Sequence, residues 1–307
     1  MTASARLAHE TVRGTGVLET SAPVPRLFWP AAALFASIAL AGPWLNPDLI
    51  TVGALLIMLL GGLPHGAYDL AIGRRLLSLN LRKALLLLVA YICVAVSMAA
   101  LWLVAPTIAL AVFLLSAALH FGEDWSMLDT GLLRATAGAS VIGIPALFHR
   151  EAVSDLFTLM AGPHGELVTR VAISCAPVAI LVMLTALARA YQQGDRQWAL
   201  AQSTAFAGLA LLPPQLGFTL FFVFLHSPLH MRQVHRILPD WSPGKLAGYG
   251  AAICAAALLG GIMVVDNLMA EQPTGALAGG FQILSILAAP HLVLHWFIDR
   301  ARTTPRQ

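Results

Sequence analysis

Apolar residues run along this chain in long, nearly unbroken stretches. They show neither the three-and-four spacing of a helix with one wet face nor the alternation of a half-buried strand. Stretches of about 17 to 25 residues have the length needed to cross a hydrocarbon layer as a helix. Ten such runs can be placed, at 27–43, 48–65, 84–105, 107–122, 131–149, 168–188, 198–213, 215–234, 246–265 and 276–298. Breakers stand where turns are wanted: Gly42-Pro43, Asn46-Pro47, Pro106, Pro213-Pro214 and Gln272-Pro273. The longest polar stretch, 150–167, reads as a loop, and no internal repeat is evident. The pattern predicts an all-α, polytopic membrane helix bundle of about ten transmembrane helices. Residues 27–298 form its single transmembrane domain, between a polar amino-terminal tail (1–26) and a short carboxyl-terminal tail (299–307).

Composition agrees with this pattern. The 307 residues are 58% hydrophobic and 11% charged, against about a quarter charged in soluble domains, and the mean hydropathy is +0.78. The net charge of +3 forms no patch of the kind that binds nucleic acid, because the basic residues are scattered between apolar runs. Lys and Arg collect on the cytoplasmic side of short loops. With ten crossings and a cytoplasmic amino end, only Arg150 and Arg170 of the 18 Lys and Arg fall on the other face. That asymmetry predicts cytoplasmic termini at both ends and a multi-pass protein of the inner cell membrane. The polar first 26 residues end in SAPVPR, with no short apolar core and cleavage site after them, so the first apolar run is expected to stay as a membrane helix. Cys93, Cys175 and Cys254 are single and widely spaced within apolar runs, which suits small buried packing residues better than a disulfide or a metal site.

Six of the ten histidines change the picture. His65, His120, His226 with His230, and His291 with His295 lie toward the carboxyl ends of the second, fourth, eighth and tenth runs. All four runs cross from outside to inside, so the six rings share the cytoplasmic half of the membrane. Unpaired imidazole is costly in hydrocarbon, and such a gathering pairs, lines a wet cavity or binds a metal. In FFVFLHSPLHMRQVHR, His226 and His230 are spaced i, i+4 and project from one helical face as a chelating pair, with Pro228 between them loosening the backbone. In GGLPHGAYDL, Asp69 stands four residues after His65. It could fix that ring's tautomer or, if Pro64 and Gly66 bend the chain, partner a neighbouring histidine.

His120, in LSAALHFGEDW, ends an apolar run and precedes Glu123 and Asp124. Those two carboxylates read as solvated interface residues or as charges balancing a metal from behind its ligands. APHLVLHWF repeats the four-residue spacing, with His291 a candidate for the site and His295, beside Trp296, a candidate for the interface. His9, His149, His164 and His235 lie in tails, loops or surface positions.

Taken in order, PHGAYD, LHFGEDW, HSPLH and PHLVLHW resemble the Brp/Blh family of membrane β-carotene 15,15'-dioxygenases, over roughly residues 60 to 296. The resemblance implies a non-haem Fe(2+) held by His65, His120, His226 and His230, with no catalytic residue beyond the metal centre. His291 would be nearby. Because none of those four ligands is anionic, Asp69, Glu123 or Asp124 could balance the metal's charge from behind the ligands. The resemblance also implies β-carotene and O2 as substrates, retinal as product and a functional link to a rhodopsin apoprotein. The aromatic residues Phe218, Phe221, Phe222, Phe224, Trp102, Trp125 and Tyr68 could wall a polyene tunnel, although most such residues pack or face lipid. Three other readings stay open: a histidine-ligated membrane metalloenzyme of another kind, a bis-histidine haem protein, and a transporter or carotenoid-binding protein without redox chemistry.

Overall fold

A computed structural model describes residues 23–268 and 275–303, and each of the ten apolar runs forms helix in it. The described residues contain no strand. In chain order the α-helices are α1 (Phe28–Ala41), α2 (Pro47–Gly62), α3 (Asp69–Leu76), α4 (Leu81–Val104), α5 (Pro106–Phe121), α6 (Gly131–Phe148), α7 (Arg150–Ala161) and α8 (Gly165–Gln192). They continue as α9 (Arg196–Leu211), α10 (Pro214–Phe221), α11 (Ser227–Ile237), α12 (Pro243–Leu268) and α13 (Ala276–Thr303). Of the expected tails, residues 1–22 and 304–307 lie outside the described residues, as do 269–274 with Gln272 and Pro273.

Several boundaries follow directly from local chemistry. Pro47 and Pro106 open α2 and α5, where a missing N–H costs nothing. Asn46 caps α2 by accepting from the amides of Asp48 and Leu49, and Asn80 caps α4 by accepting from Lys83.

Seven segments are long and apolar enough to cross a membrane: Pro47–Leu76, Leu81–Val104, Pro106–Asp124, Gly131–Phe148, Arg150–Gln192, Pro243–Val265 and Ala276–Ile298. Phe28–Trp44 is a shorter apolar helix. Three of the ten predicted runs fall below that measure, each for a local reason. α1 has 14 residues, α9 has 16, and the run from Pro214 to Ile237 carries polar residues among its apolar ones, including Gln215, His226, Ser227, His230 and Arg232. The outer surface is rich in aliphatic side chains, among them Leu34, Leu60, Leu86, Val89 and Leu181, as suits a protein whose solvent is lipid.

Two expectations are corrected. The stretch 150–167 is mostly helix, not loop: Val153, Leu156, Phe157 and Met160 recur at helical spacing and turn inward on α7, a periodicity masked by the flanking charges. None of the three cysteines is buried: Cys93 and Cys175 are exposed and Cys254 is intermediate. In a membrane bundle an apolar neighbourhood is as often lipid-facing as internal, so periodicity-free runs do not tell the two apart.

Polar cross-links pin the helices that carry the histidines. Trp102 Nε1 donates to Ser285 Oγ at 2.7 Å, joining α4 to α13, and Ser227 Oγ donates to the Gly61 carbonyl at 3.2 Å, joining α11 to α2. Helices α5 and α6 pack backbone to backbone at Gly138, where an added Cβ would collide with the Ala118 carbonyl and the Gly122 amide. Gly138→Ala therefore has no side chain to displace. It is expected to destabilise the fold by about 1–3 kcal/mol, seen as a lower thermal midpoint in detergent. An unchanged midpoint would mean that the two helices are not in contact there.

Candidate metal centre

The six histidines of the apolar run ends converge. His65 sits in a 3-10 turn, Leu63–Tyr68, that interrupts the chain between α2 and α3 at Pro64. His120 closes α5. His226 ends a π-helical turn, Phe222–His226, placed where Pro228 cannot donate back into the helix, and His230 follows one turn later on α11. His291 follows Pro290 on α13.

His65, His120, His226, His230 and His291 are all buried. Ring centroids lie 4.4 Å apart for His226 and His230, 4.8 Å for His120 and His226, and 5.1 Å for His120 and His230. His65 lies 5.7 Å from both His226 and His230 and 6.0 Å from His120. His291 is 5.1 Å from both His65 and His120. Donor atoms fall into three overlapping groups, each with its atoms within 4.8 Å of one another: two are all histidine, His65–His120–His291 and His120–His226–His230, and the third is Asp69–His291–His295. His120 belongs to both all-histidine groups.

The nitrogens of His226 and His65 that face away from the cluster are hydrogen-bonded, whereas His120 Nδ1 is buried without a hydrogen-bond partner among the described residues. His226 Nδ1 donates to Asp124 Oδ2 at 2.9 Å, which leaves the Nε2 lone pair directed inward, 3.1 Å from Nε2 of His120. His65 Nδ1 donates to the Gly62 carbonyl at the end of α2. His120 Nδ1 approaches Glu123 Oε1 at 3.5 Å. His230 Nε2 stands 3.7 Å from Asp124 Oδ1 without a hydrogen bond. Asp124 is buried, not solvated, so it acts on the site from close behind His226, whereas Glu123 is only partly buried and also lies 3.7 Å from His295.

Asp69 takes the second of its two expected partners. Both of its oxygens accept from His291 Nδ1, at 3.0 and 2.8 Å, and Oδ2 also accepts from Tyr91 at 2.9 Å. The reason is geometric. Four residues carry a side chain about 40° around an α-helix but about 120° around a 3-10 turn, so Asp69 leaves the face of His65. Tyr91 was not legible as part of the site, because nothing local in the apolar run 84–105 distinguishes it from an interfacial tyrosine. His295 is nearer than its neighbours suggested: its ring is 4.4 Å from His291 and 6.3 Å from His230.

Beside the histidines lies an apolar cavity of about 350 Å³, lined by Leu110, Phe113, Ala117 and Phe121 of α5, Val153 and Phe157 of α7, Phe218 and Phe222, and Phe281 of α13. His65, His120 and His291 lie on its wall. Its lining also includes Ile92 and Val96 of α4, both exposed on the outer surface. Of the aromatic residues singled out from sequence, Phe218 and Phe222 line this space. Trp102, Trp125 and Phe221 are core, Phe224 packs on Phe35, and Tyr68 donates to the Leu246 carbonyl.

Comparison with known proteins bears on this site. The chain is 29% identical to a β-carotene 15,15'-dioxygenase from uncultured marine bacterium 66A03, over 83% of this chain and 96% of that protein. It is 25% identical to a probable β-carotene 15,15'-dioxygenase, Blh, of Halobacterium salinarum, over 91% and 93%. No solved structure matches. The sequence profile of the family described as Beta-carotene 15,15'-dioxygenase matches residues 56–299, a stretch that holds every buried histidine described above, and the chain belongs to that family.

Proposed function

We propose that this protein cleaves the central 15,15' double bond of β-carotene with O2, giving two molecules of all-trans-retinal, at a non-haem Fe(2+) held by His65, His120, His226 and His230. The observation that carries this reading is the convergence of buried imidazoles on the wall of an apolar cavity. The donor set suits a first-row metal. Two inward Nε2 atoms stand 3.1 Å apart, about the separation of neighbouring donors bound near 2.1 Å from one ion. Buried His230 Nε2 and His291 Nε2 have no hydrogen-bond partner among the described residues, and leaving such groups unmade costs about 1–3 kcal/mol each.

Iron supplies the electron sharing that lets triplet O2 react with a closed-shell alkene. The remaining work belongs to the chain. Neutral imidazoles leave the metal's positive charge uncompensated, and buried Asp124, with Asp69 and Glu123, offsets it while fixing ring orientation. The apolar walls exclude water and align the polyene past the histidines. Ile92 and Val96 put the cavity mouth on the lipid-facing side, where a membrane-dissolved substrate arrives.

In this reading the chain crosses the inner cell membrane about ten times, with both termini and the metal centre on the cytoplasmic side. A rhodopsin apoprotein is a consumer of its product. Cells that make β-carotene and express the protein should lose their orange colour and accumulate retinal. Cells that stay orange while well-folded protein is abundant in their membranes would overturn the assignment of that substrate.

A further inference from the structure

We propose that His291 is a fifth imidazole of the metal centre, and that Asp69 and Tyr91 are the positioning residues that hold it there. This rests on the metal-binding reading above and adds a donor and its support to it. His291 is 4% exposed, its ring lies 5.1 Å from those of both His65 and His120, and their donor atoms lie within 4.8 Å of one another.

Its two nitrogens are used differently. Nδ1 donates to both oxygens of buried Asp69, and a carboxylate only accepts, so Nε2 carries a lone pair and no hydrogen. That Nε2 is buried and has no hydrogen-bond partner among the described residues. A histidine kept only for packing would satisfy both nitrogens or expose one. An imidazole with a carboxylate behind Nδ1 and a bare Nε2 in front is the arrangement that orients a metal ligand. His291 also borders both the apolar cavity and a second space of about 40 Å³ shared with His65, His230 and His295, so its ring stands in the wall between them.

Tyr91 completes the support. Its hydroxyl donates to Asp69 Oδ2 at 2.9 Å and so occupies a lone pair on the carboxylate that faces His291. Tyr91 also lines the apolar cavity, so the support for His291 touches the space assigned to the substrate.

The test is Co(2+) binding to purified, metal-stripped full-length protein in detergent, read by affinity and by the visible ligand-field bands. His291→Gly is expected to lower affinity about 10–100-fold and to shift the bands as one donor is lost, with added imidazole restoring both. Asp69→Asn should lower affinity in the parent protein and have no further effect beside His291→Gly. Tyr91→Phe should shift the same bands less.

A folded His291→Gly protein with parental affinity and bands overturns the proposal, and additive effects of Asp69→Asn and His291→Gly overturn the positioning role. If His291→Gly does not fold, Tyr91→Phe decides, because it deletes one hydroxyl and keeps the ring; unchanged bands then overturn the proposal. Normal metal binding by a protein that never yields retinal would sink the proposed reaction and leave this inference standing. Metal lost in His226→Ala but untouched in His291→Gly would do the reverse.

Discussion

His226→Ala is expected to abolish retinal formation and to reduce bound iron by more than the roughly 10–100-fold typical of residues behind a ligand. His226 is fully buried, and its Nε2 is 3.1 Å from Nε2 of His120, so its loss opens the centre of the cluster. The same change strands Asp124, whose buried carboxylate accepts from His226 Nδ1. Leaving a buried acceptor without its donor costs about 1–3 kcal/mol, and more when the acceptor is charged, so the single variant should also unfold at a lower temperature. The two losses can be separated. His226→Ala with Asp124→Asn removes the stranded charge, and it should recover much of the stability while recovering neither iron nor activity. Iron measured by elemental analysis and retinal measured by chromatography make the comparison. Iron retained at one per chain in the double variant would exclude His226 from the ligand set.

Ala117→Trp should separate the substrate from the metal. Ala117 lines the cavity on α5, one turn before His120, and its methyl group faces a space of about 350 Å³. An indole there occupies room the polyene needs without touching the outer nitrogens that hold the imidazoles. Displacing a reacting bond by about 1 Å can cost on the order of 100-fold, so retinal formation should fall at least that far with iron content unchanged. Ala117→Leu should give a smaller loss. Parental turnover in Ala117→Trp would show that the polyene does not lie in this cavity. Loss of iron together with activity would show that α5 had shifted, and His120 with it.

Much of this site could be read before any coordinates, because burial of polar groups in hydrocarbon is so unfavourable that each exception is informative. Histidines at the ends of apolar runs stand out in the sequence, and all four rings expected at the metal lie together in the fold. The i, i+4 pair His226 and His230 depends only on local geometry and was legible for that reason. Features that depend on the path of the backbone were not. Asp69 follows His65 in sequence, yet it serves His291 more than two hundred residues later, because a 3-10 turn rotates it off the expected face. Tyr91 reaches His291 through that displaced carboxylate. The helix α7 was hidden because its inward Val153, Phe157 and Met160 share a short stretch with Arg150, Glu151 and Asp155 that reads as a loop.

By itself the sequence determined the solvent, the helical class and which side chains stand out at the ends of the apolar runs. Those follow from transfer free energies and from the donors that histidine offers, and neither depends on how helices are arranged. Only the tertiary structure decided which carboxylate holds which ring, that a fifth buried imidazole joins the cluster, and that α5, α7, α10 and α13 enclose an apolar cavity against it. Those are relations among segments far apart in the chain, set by close packing and by the irregular turns at Pro64 and Pro228. An apolar run carries no mark of which of its faces meets lipid, a neighbouring helix or a substrate.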